Sequence, residues 1–305
     1  MKKSALTHIV LFFLTSSAFA QSSTGYDFLR SFVGARPAAM SGAYIAVQGD
    51  VHDISYNPAG LALVEKRLGT ATYLNHLLDF QSGYLGYAHP LRKNSAIGVS
   101  LNYFDYGTFE GKDLTNLPTG DFGANSLVLS LAYGRQAINN LSIGGAGKYI
   151  RFQIEDYAAS AMALDLSANY ALPDVMATIG LGIFNIGNTT SAFIETKEDL
   201  PMNLQLGFTK QLQHLPFFLS GALVKFQDEG IDLRLGGEFT LSPQLFLRLG
   251  YNTAGRDQKI DSGKDRLAGI SAGLGFQMNR FDIDYSFSSF GEVGSLNRIT
   301  LVGEF

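Results

Sequence analysis

From about residue 67 to its end, the chain alternates apolar and polar residues with period 2. In Asn125–Gly134 (NSLVLSLAYG), Leu127, Leu129, Leu131 and Tyr133 share one face, while Ser126, Ser130, Ala132 and Gly134 lie opposite. Ile231–Leu241 puts Ile231, Leu233, Leu235, Phe239 and Leu241 on one side and Asp232, Arg234, Glu238 and Thr240 on the other. Successive side chains of a strand point to opposite faces, so each such stretch predicts a two-faced β-strand. About fourteen are predicted, at 67–76, 82–91, 95–105, 123–136, 139–152, 160–171, 175–186, 200–212, 215–226, 230–242, 243–254, 266–278, 279–289 and 295–305.

A soluble β-sandwich has the same period. Three features favour a membrane wall instead. The strands run about nine to twelve residues, enough for a tilted strand to cross a bilayer, against about five or six in globular sheets. Tyrosines recur near strand ends, at Tyr73, Tyr84, Tyr103, Tyr133, Tyr149, Tyr170 and Tyr251, as interfacial girdles do. The last strand places Ile299, Leu301 and Gly303 on one face and ends on Phe305, which is similar to the signal that bacterial barrel assembly machinery reads. Every second connection is tight, at 91–95, 136–139, 171–175, 212–215, 242–243 and 278–279. The others, such as 106–122, 152–160, 186–200, 254–266 and 289–295, are mostly longer. Short turns are periplasmic and longer loops extracellular in such barrels, so both termini are expected in the periplasm.

Composition fits this class. The chain is 16% charged and 12% aromatic, with 34 glycines and no cysteine. Without Cys there are no disulfide staples, thiol nucleophiles or Cys-based zinc sites. Residues 1–20 read as a cleaved export leader: Lys2 and Lys3, the apolar run Ile9–Leu14, then Ala18-Phe19-Ala20. Its removal takes the formal charge of −4 two units further negative. No basic cluster remains to track phosphates, so nucleic acid is not an expected partner. No later apolar run is long enough for a membrane helix. The expected class is therefore all-β, a transmembrane antiparallel barrel over residues 65–305, in contact with outer-membrane lipid.

The inward face carries Lys148, Asp165, Asp232, Arg234, Glu238, Arg248, Asp282, Asp284 and Glu304, with Asn102, Asn169, Asn203 and Gln205. Mixed signs predict paired lumen residues rather than a one-sign selectivity ring. Residues 21–64 precede the first strand and are rich in small apolar residues. Asn57 can cap a short helix with Pro58 at its first position, followed by Ala59 and Gly60. Gly34, Gly42 and Gly49 let the preceding chain fold back. The segment is expected to enter the lumen from the periplasmic side as a hatch.

Chemical motifs are absent or accidental. Gly269–Gly273 spells G-x-S-x-G, but alternation continues through it where a nucleophile elbow needs a sharp turn. Gly144–Lys148 lacks the first Gly and the Ser/Thr of a phosphate loop. The histidines show no metal-ligand spacing, and no acid/base pair stands out around Asp282 and Asp284. No catalytic activity and no cofactor are expected.

Gly34–Gly60 (GARPAAMSGAYIAVQGDVHDISYNPAG) resembles the start of the PorV/PorQ family, FadL-like fourteen-stranded outer-membrane barrels. Tyr26–Leu29, LNYFDYGTF at 101–109 and LPMNLQLGFTKQLQHLP at 200–216 look closest to its PorQ branch. One departure is Met40-Ser41-Gly42, where many members carry Gly-Gly after the first residue. The resemblance implies a part in type IX protein secretion, with PorQ associated with anchoring the surface protein PorZ. Partners would then be type IX components or a surface protein at the long loops, with Tyr106, Phe109, Phe122 and Phe193 as candidate contacts. The other function it leaves open is FadL-like transport of hydrophobic small molecules.

Overall fold

The computed structural model describes residues 24–75, 80–91, 94–113, 115–227, 229–255, 267–291 and 294–305. The expected leader at 1–20 lies outside the described residues.

The strands are β1 (Leu68–Asn75), β2 (Gln81–Leu91), β3 (Ser95–Lys112), β4 (Pro118–Ile138), β5 (Leu141–Ile154), β6 (Tyr157–Leu172), β7 (Ala177–Ser191), β8 (Asn203–Gln211), β9 (Phe217–Phe226), β10 (Ile231–Ser242), β11 (Leu245–Asn252), β12 (Ile270–Met278), β13 (Phe281–Ser289) and β14 (Ser295–Glu304). Each pairs antiparallel with its sequence neighbours, and β1 pairs with β14, which closes the sheet into a barrel. All fourteen predicted strands are present. Closure leaves no unpaired sheet edge along the wall, the condition for a β structure in hydrocarbon. The alternation sorts as expected: Leu129, Leu131 and Tyr133 face out and are exposed, while Ser126, Ser130 and Ala132 are buried inside.

Two expectations need correction. The stretch 106–122, expected as a loop, is mostly strand, because β3 runs on to Lys112 and β4 starts at Pro118. Register shifts after Asp105 and at Gly111 break the alternation there, which hid the strand from a period-2 reading. The second correction concerns the N-terminal segment. It joins β1 at the tight-turn end, but its first described residue, Thr24, hydrogen-bonds to the 192–202 connection between β7 and β8 at the opposite mouth. The segment therefore runs the length of the lumen, and its described N-terminal end lies at the long-loop mouth, not at the tight-turn mouth from which the hatch was expected to enter.

Before β1 the chain forms a 3-10 turn at Asp27–Arg30, helix α1 (Ala35–Ala39), helix α2 (Asp53–Tyr56) and a 3-10 helix at Pro58–Leu63. Gly34 and Gly49 take φ of 78° and 80°, conformations that favour glycine and that turn the chain back on itself. Ala35, Ala38, Ala39, Met40, Tyr44, Ile54 and Leu61 are wholly buried. With these residues in place the barrel has a packed core of its own.

Candidate functional site

Wall glycines make room for the segment. A Cβ on Gly134 would stand 2.9 Å from Leu61 Cβ, and one on Gly236 would stand 2.7 Å from Met40 Cβ. Asn57 ends α2 and opens the 3-10 helix, its side-chain oxygen accepting from the Ala59 N–H at 3.0 Å. That N–H also lies 3.1 Å from Ser167 Oγ, and the Asn57 amide meets the Asn169 amide at 2.8 Å. Pro58, Ala59 and Gly60 are buried against β4, β5 and β6. The Asn57–Gly60 motif thus joins the segment to the wall.

Charge pairing supplies a second connection. Arg36 of α1 makes two bonds to the Glu238 carboxylate, at 2.9 and 3.0 Å, and one to Asp50 Oδ2 at 3.0 Å. Glu238 accepts from Arg248 Nε at 2.6 Å, and Arg248 also pairs with Asp284. Asp50 further accepts from Tyr44 Oη at 2.6 Å and sits 2.8 Å from His52 Nδ1. Burial opposes its ionisation, but His52, Arg36 and Tyr44 outweigh that and hold the carboxyl far below the usual range. Nearby Asp53 is the reverse case. Burial, and then the charge of Asp50, push its carboxyl well above the usual range.

The expected lumen residues fall on this inner face, and several are paired, whereas Asp282 has no salt-bridge partner among the described residues. Lys148 meets Asp165 at 2.6 Å, and Arg234 meets Asp232 at 2.6 Å. Arg298 was missed. It is 1% exposed, its Nε donating to Phe32 O at 3.2 Å and its Nη1 to Ser288 Oγ at 3.3 Å. Its position next to outward Ile299 was the signal that could have found it.

At the long-loop mouth, Thr24 Oγ1 donates to Asp199 O at 2.8 Å, and Arg30 pairs with Glu229 and, at 3.1 Å, with Asp27. Between them Tyr26 and Phe28 fill an apolar chamber. Tyr26 packs with Val128, Ile150 and Leu200, and the Phe28 ring lies 5.4 Å from Phe104 and 5.8 Å from Phe152. Two of the candidate contact residues turn into this chamber. Phe193 sits edge-on to Phe152 at 5.1 Å, and Tyr106 lies 5.9 Å from Phe152 with its hydroxyl 3.2 Å from Ser126 Oγ. Phe109 and Phe122 are cross-strand partners farther up the β3–β4 hairpin, stacked at 5.6 Å.

The rim is uneven. Strands β3 to β7 run 14 to 21 residues, whereas β8 to β14 run 8 to 12. Beyond Asp105 and Gly123, β3 and β4 pair only with each other among the described residues. This raised side exposes Phe109, Leu117, Tyr157 and Ile194 among the acids Glu110, Asp113, Asp121, Glu155, Asp156 and Glu195. Cavities lined by described residues include one of about 100 Å³ at mid-lumen, one of about 230 Å³ near Asp50 and one of about 280 Å³ near Glu198.

Solved structures share this barrel. The Ralstonia pickettii toluene transporter TbuX superposes with a TM-score of 0.60 at 12% identity, covering 91% of this chain and 99% of that one. The Pseudomonas putida toluene transporter TodX gives 0.58 at 13%, covering 94% and 98%. A Pseudomonas aeruginosa FadL homologue gives 0.58 at 12%, covering 95% and 100%. At such identities the likeness is one of fold alone: the chain has the FadL-like barrel fold. No curated protein sequence matches the chain. The family model described as type IX secretion system protein PorV matches residues 18–207, a span reaching from before the lumenal segment into β8. With well over half its length matched by that model, the chain belongs to the PorV family of type IX secretion system outer-membrane proteins.

Proposed function

We propose that this barrel is a closed docking platform for type IX secretion, of the PorQ kind, which anchors a PorZ-like surface partner on its raised rim. The observation that carries this reading is the combination of a filled lumen and a one-sided crest. Internal cavities of about 100 to 280 Å³ are below the usual range for a ligand site, about 300–1,000 Å³. The crest, in contrast, offers exposed apolar side chains inside an acidic surround, the anatomy of an apolar centre with a polar rim. A partner with a basic face suits it.

The test is purification of the tagged barrel from outer membranes in mild detergent, with co-purifying proteins identified by mass spectrometry. Stoichiometric recovery of a large surface protein, lost on deleting 107–121, supports the platform. That deletion removes strand beyond the shared wall, so the barrel itself should persist. Recovery of the barrel alone, under conditions where other outer-membrane complexes survive, sinks the reading.

The second reading, transport of hydrophobic small molecules, draws on the chamber that Tyr26 and Phe28 occupy. Withdrawal of these two rings would leave a site walled by Phe104, Val128, Ile150, Phe152 and Phe193. This reading requires the segment to move, and loss of hydrophobic uptake in a deletion strain would favour it.

A further inference from the structure

The outer face of the wall has a groove along β1. Outward positions of this strand run Gly69, Ala71, Tyr73, so its lower half carries almost no side chain. The strands on either side are bulky at the same height. Gly69 pairs with Tyr87 on β2 and with Gly303 on β14, and Ala71 pairs with Leu85 and Leu301. One strand farther, Phe281 stands opposite Gly303 and Val99 opposite Tyr87. The Phe305 ring reaches across the glycine pair, with a ring carbon 3.0 Å from where a Gly69 Cβ would stand. The result is a groove of about 630 Å³, floored by Gly69, Ala71 and Gly303 and walled by leucines and rings.

The setting says what fills it. The groove opens outward from a membrane-spanning wall, so its apolar lining meets hydrocarbon. A convex wall holds lipid only loosely, whereas a furrow one strand wide surrounds a single chain and raises its apolar contact. The foot of the groove lies at the tight-turn, periplasmic end. There Lys66 is taken by Glu304 at 2.6 Å, while exposed Arg67 lines the groove and has no salt-bridge partner among the described residues. A guanidinium with its stem along apolar surface and its fork at the interface suits a phosphate.

We propose that this groove is a specific phospholipid site: one acyl chain lies along β1 over Gly69 and Ala71, and Arg67 binds the phosphate of the periplasmic-leaflet headgroup.

The test uses the full-length barrel, extracted in mild detergent, exchanged exhaustively and examined by native mass spectrometry. Phosphatidylglycerol and phosphatidylethanolamine are then added back in increasing amounts. One retained phospholipid per barrel is expected. Ala71→Leu, which fills the floor, should lower retention at least tenfold. Arg67→Gln should lower it severalfold, more for the anionic lipid. Leu233→Ala, elsewhere on the outer wall, should leave it unchanged. Heat-modifiable migration checks that each variant is folded, and Arg67→Gln, an exposed change, still decides the matter if Ala71→Leu does not fold. Equal retention in the folded groove variants and the parent overturns the proposal, as does a groove occupied by detergent alone or by a co-purifying protein segment.

Discussion

Gly144 of β5 and Pro58 of the lumenal segment are in backbone contact: a Cβ on Gly144 would fall 2.6 Å from the Pro58 carbonyl oxygen. The wall at this point is shaped for the segment, and a side chain here cannot be absorbed by a rotamer change. Gly144→Leu should therefore unseat residues 57–63 while leaving the sheet closed, at a cost on the order of 1–3 kcal/mol. Protease sensitivity within the segment and a rise in single-channel current in planar bilayers are the expected signs.

Asp50 and Asp53 give opposite pH dependences. Asp50 has a depressed folded-state pKa, so its stabilisation is complete above its unfolded value, about 4, and is lost as pH falls below that. Asp53 has a raised one, so its contribution is complete below about pH 4 and declines as pH rises. Asp50→Asn should cost about 2 kcal/mol at pH 7, reduced from the fully buried case because Arg36 is partly exposed. Asp53→Asn should stabilise at pH 7 and do little at pH 3. Urea midpoints for protease protection of the segment, at both pH values, check the pair.

Arg248 and Arg298 are both buried cations with different surroundings. Removing Arg248 strands Asp284 and weakens the hold on Glu238. Arg298 meets a carbonyl and a hydroxyl. Arg248→Met should cost about 3 kcal/mol and Arg298→Met about 1 kcal/mol. Equilibrium unfolding in urea distinguishes them, and equal costs would contradict this account.

The threaded path can be read chemically, since the chain has no cysteine. Thr24→Cys should react with a membrane-impermeant maleimide on whole cells, as should Glu195→Cys on the same mouth. Lys66→Cys should react only after the outer membrane is permeabilised. Labelling of Lys66→Cys in intact cells, with none at Thr24→Cys, would reverse the assigned path.

On the crest, Phe109→Asp should lower recovery of a surface partner at least tenfold, about 1.4 kcal/mol, without altering the barrel. Phe193→Asp is a different perturbation. It puts a charge into the chamber beside Phe152 and Tyr26, so loss of barrel stability is expected first, measured by the temperature at which the folded band is lost on gels.

The strands were legible because a wall with lipid outside and polar side chains inside forces period 2, and the ladder from Leu127 to Tyr133 obeys it. The signal failed where that constraint ends. Past Asp105 the hairpin leaves the shared wall, Gly107 takes a φ of 75° and the register shifts, so the alternation breaks and the strand reads as loop. The path of the segment was not legible either. Its direction is fixed by Thr24 with Asp199 and by Arg30 with Glu229, pairs nearly two hundred residues apart that no local pattern announces. Wall glycines such as Gly134 and Gly236 were visible as composition, but their purpose depends on which backbone comes to lie against them.

A segment that joins β1 at one mouth and ends at the other makes the molecule a ring closed around its own leading strand. Once β1 and β14 zip together, that strand can leave only lengthwise, through a bore studded with its own salt links. The β1–β14 seam closes the largest loop in the wall, since it joins Leu68 to Glu304. The Ala35 N–H donates to Thr300 Oγ1 at 2.8 Å and so ties the enclosed segment to the final strand at that seam. The first and last described parts of the chain are thus fastened to each other as well as to the wall.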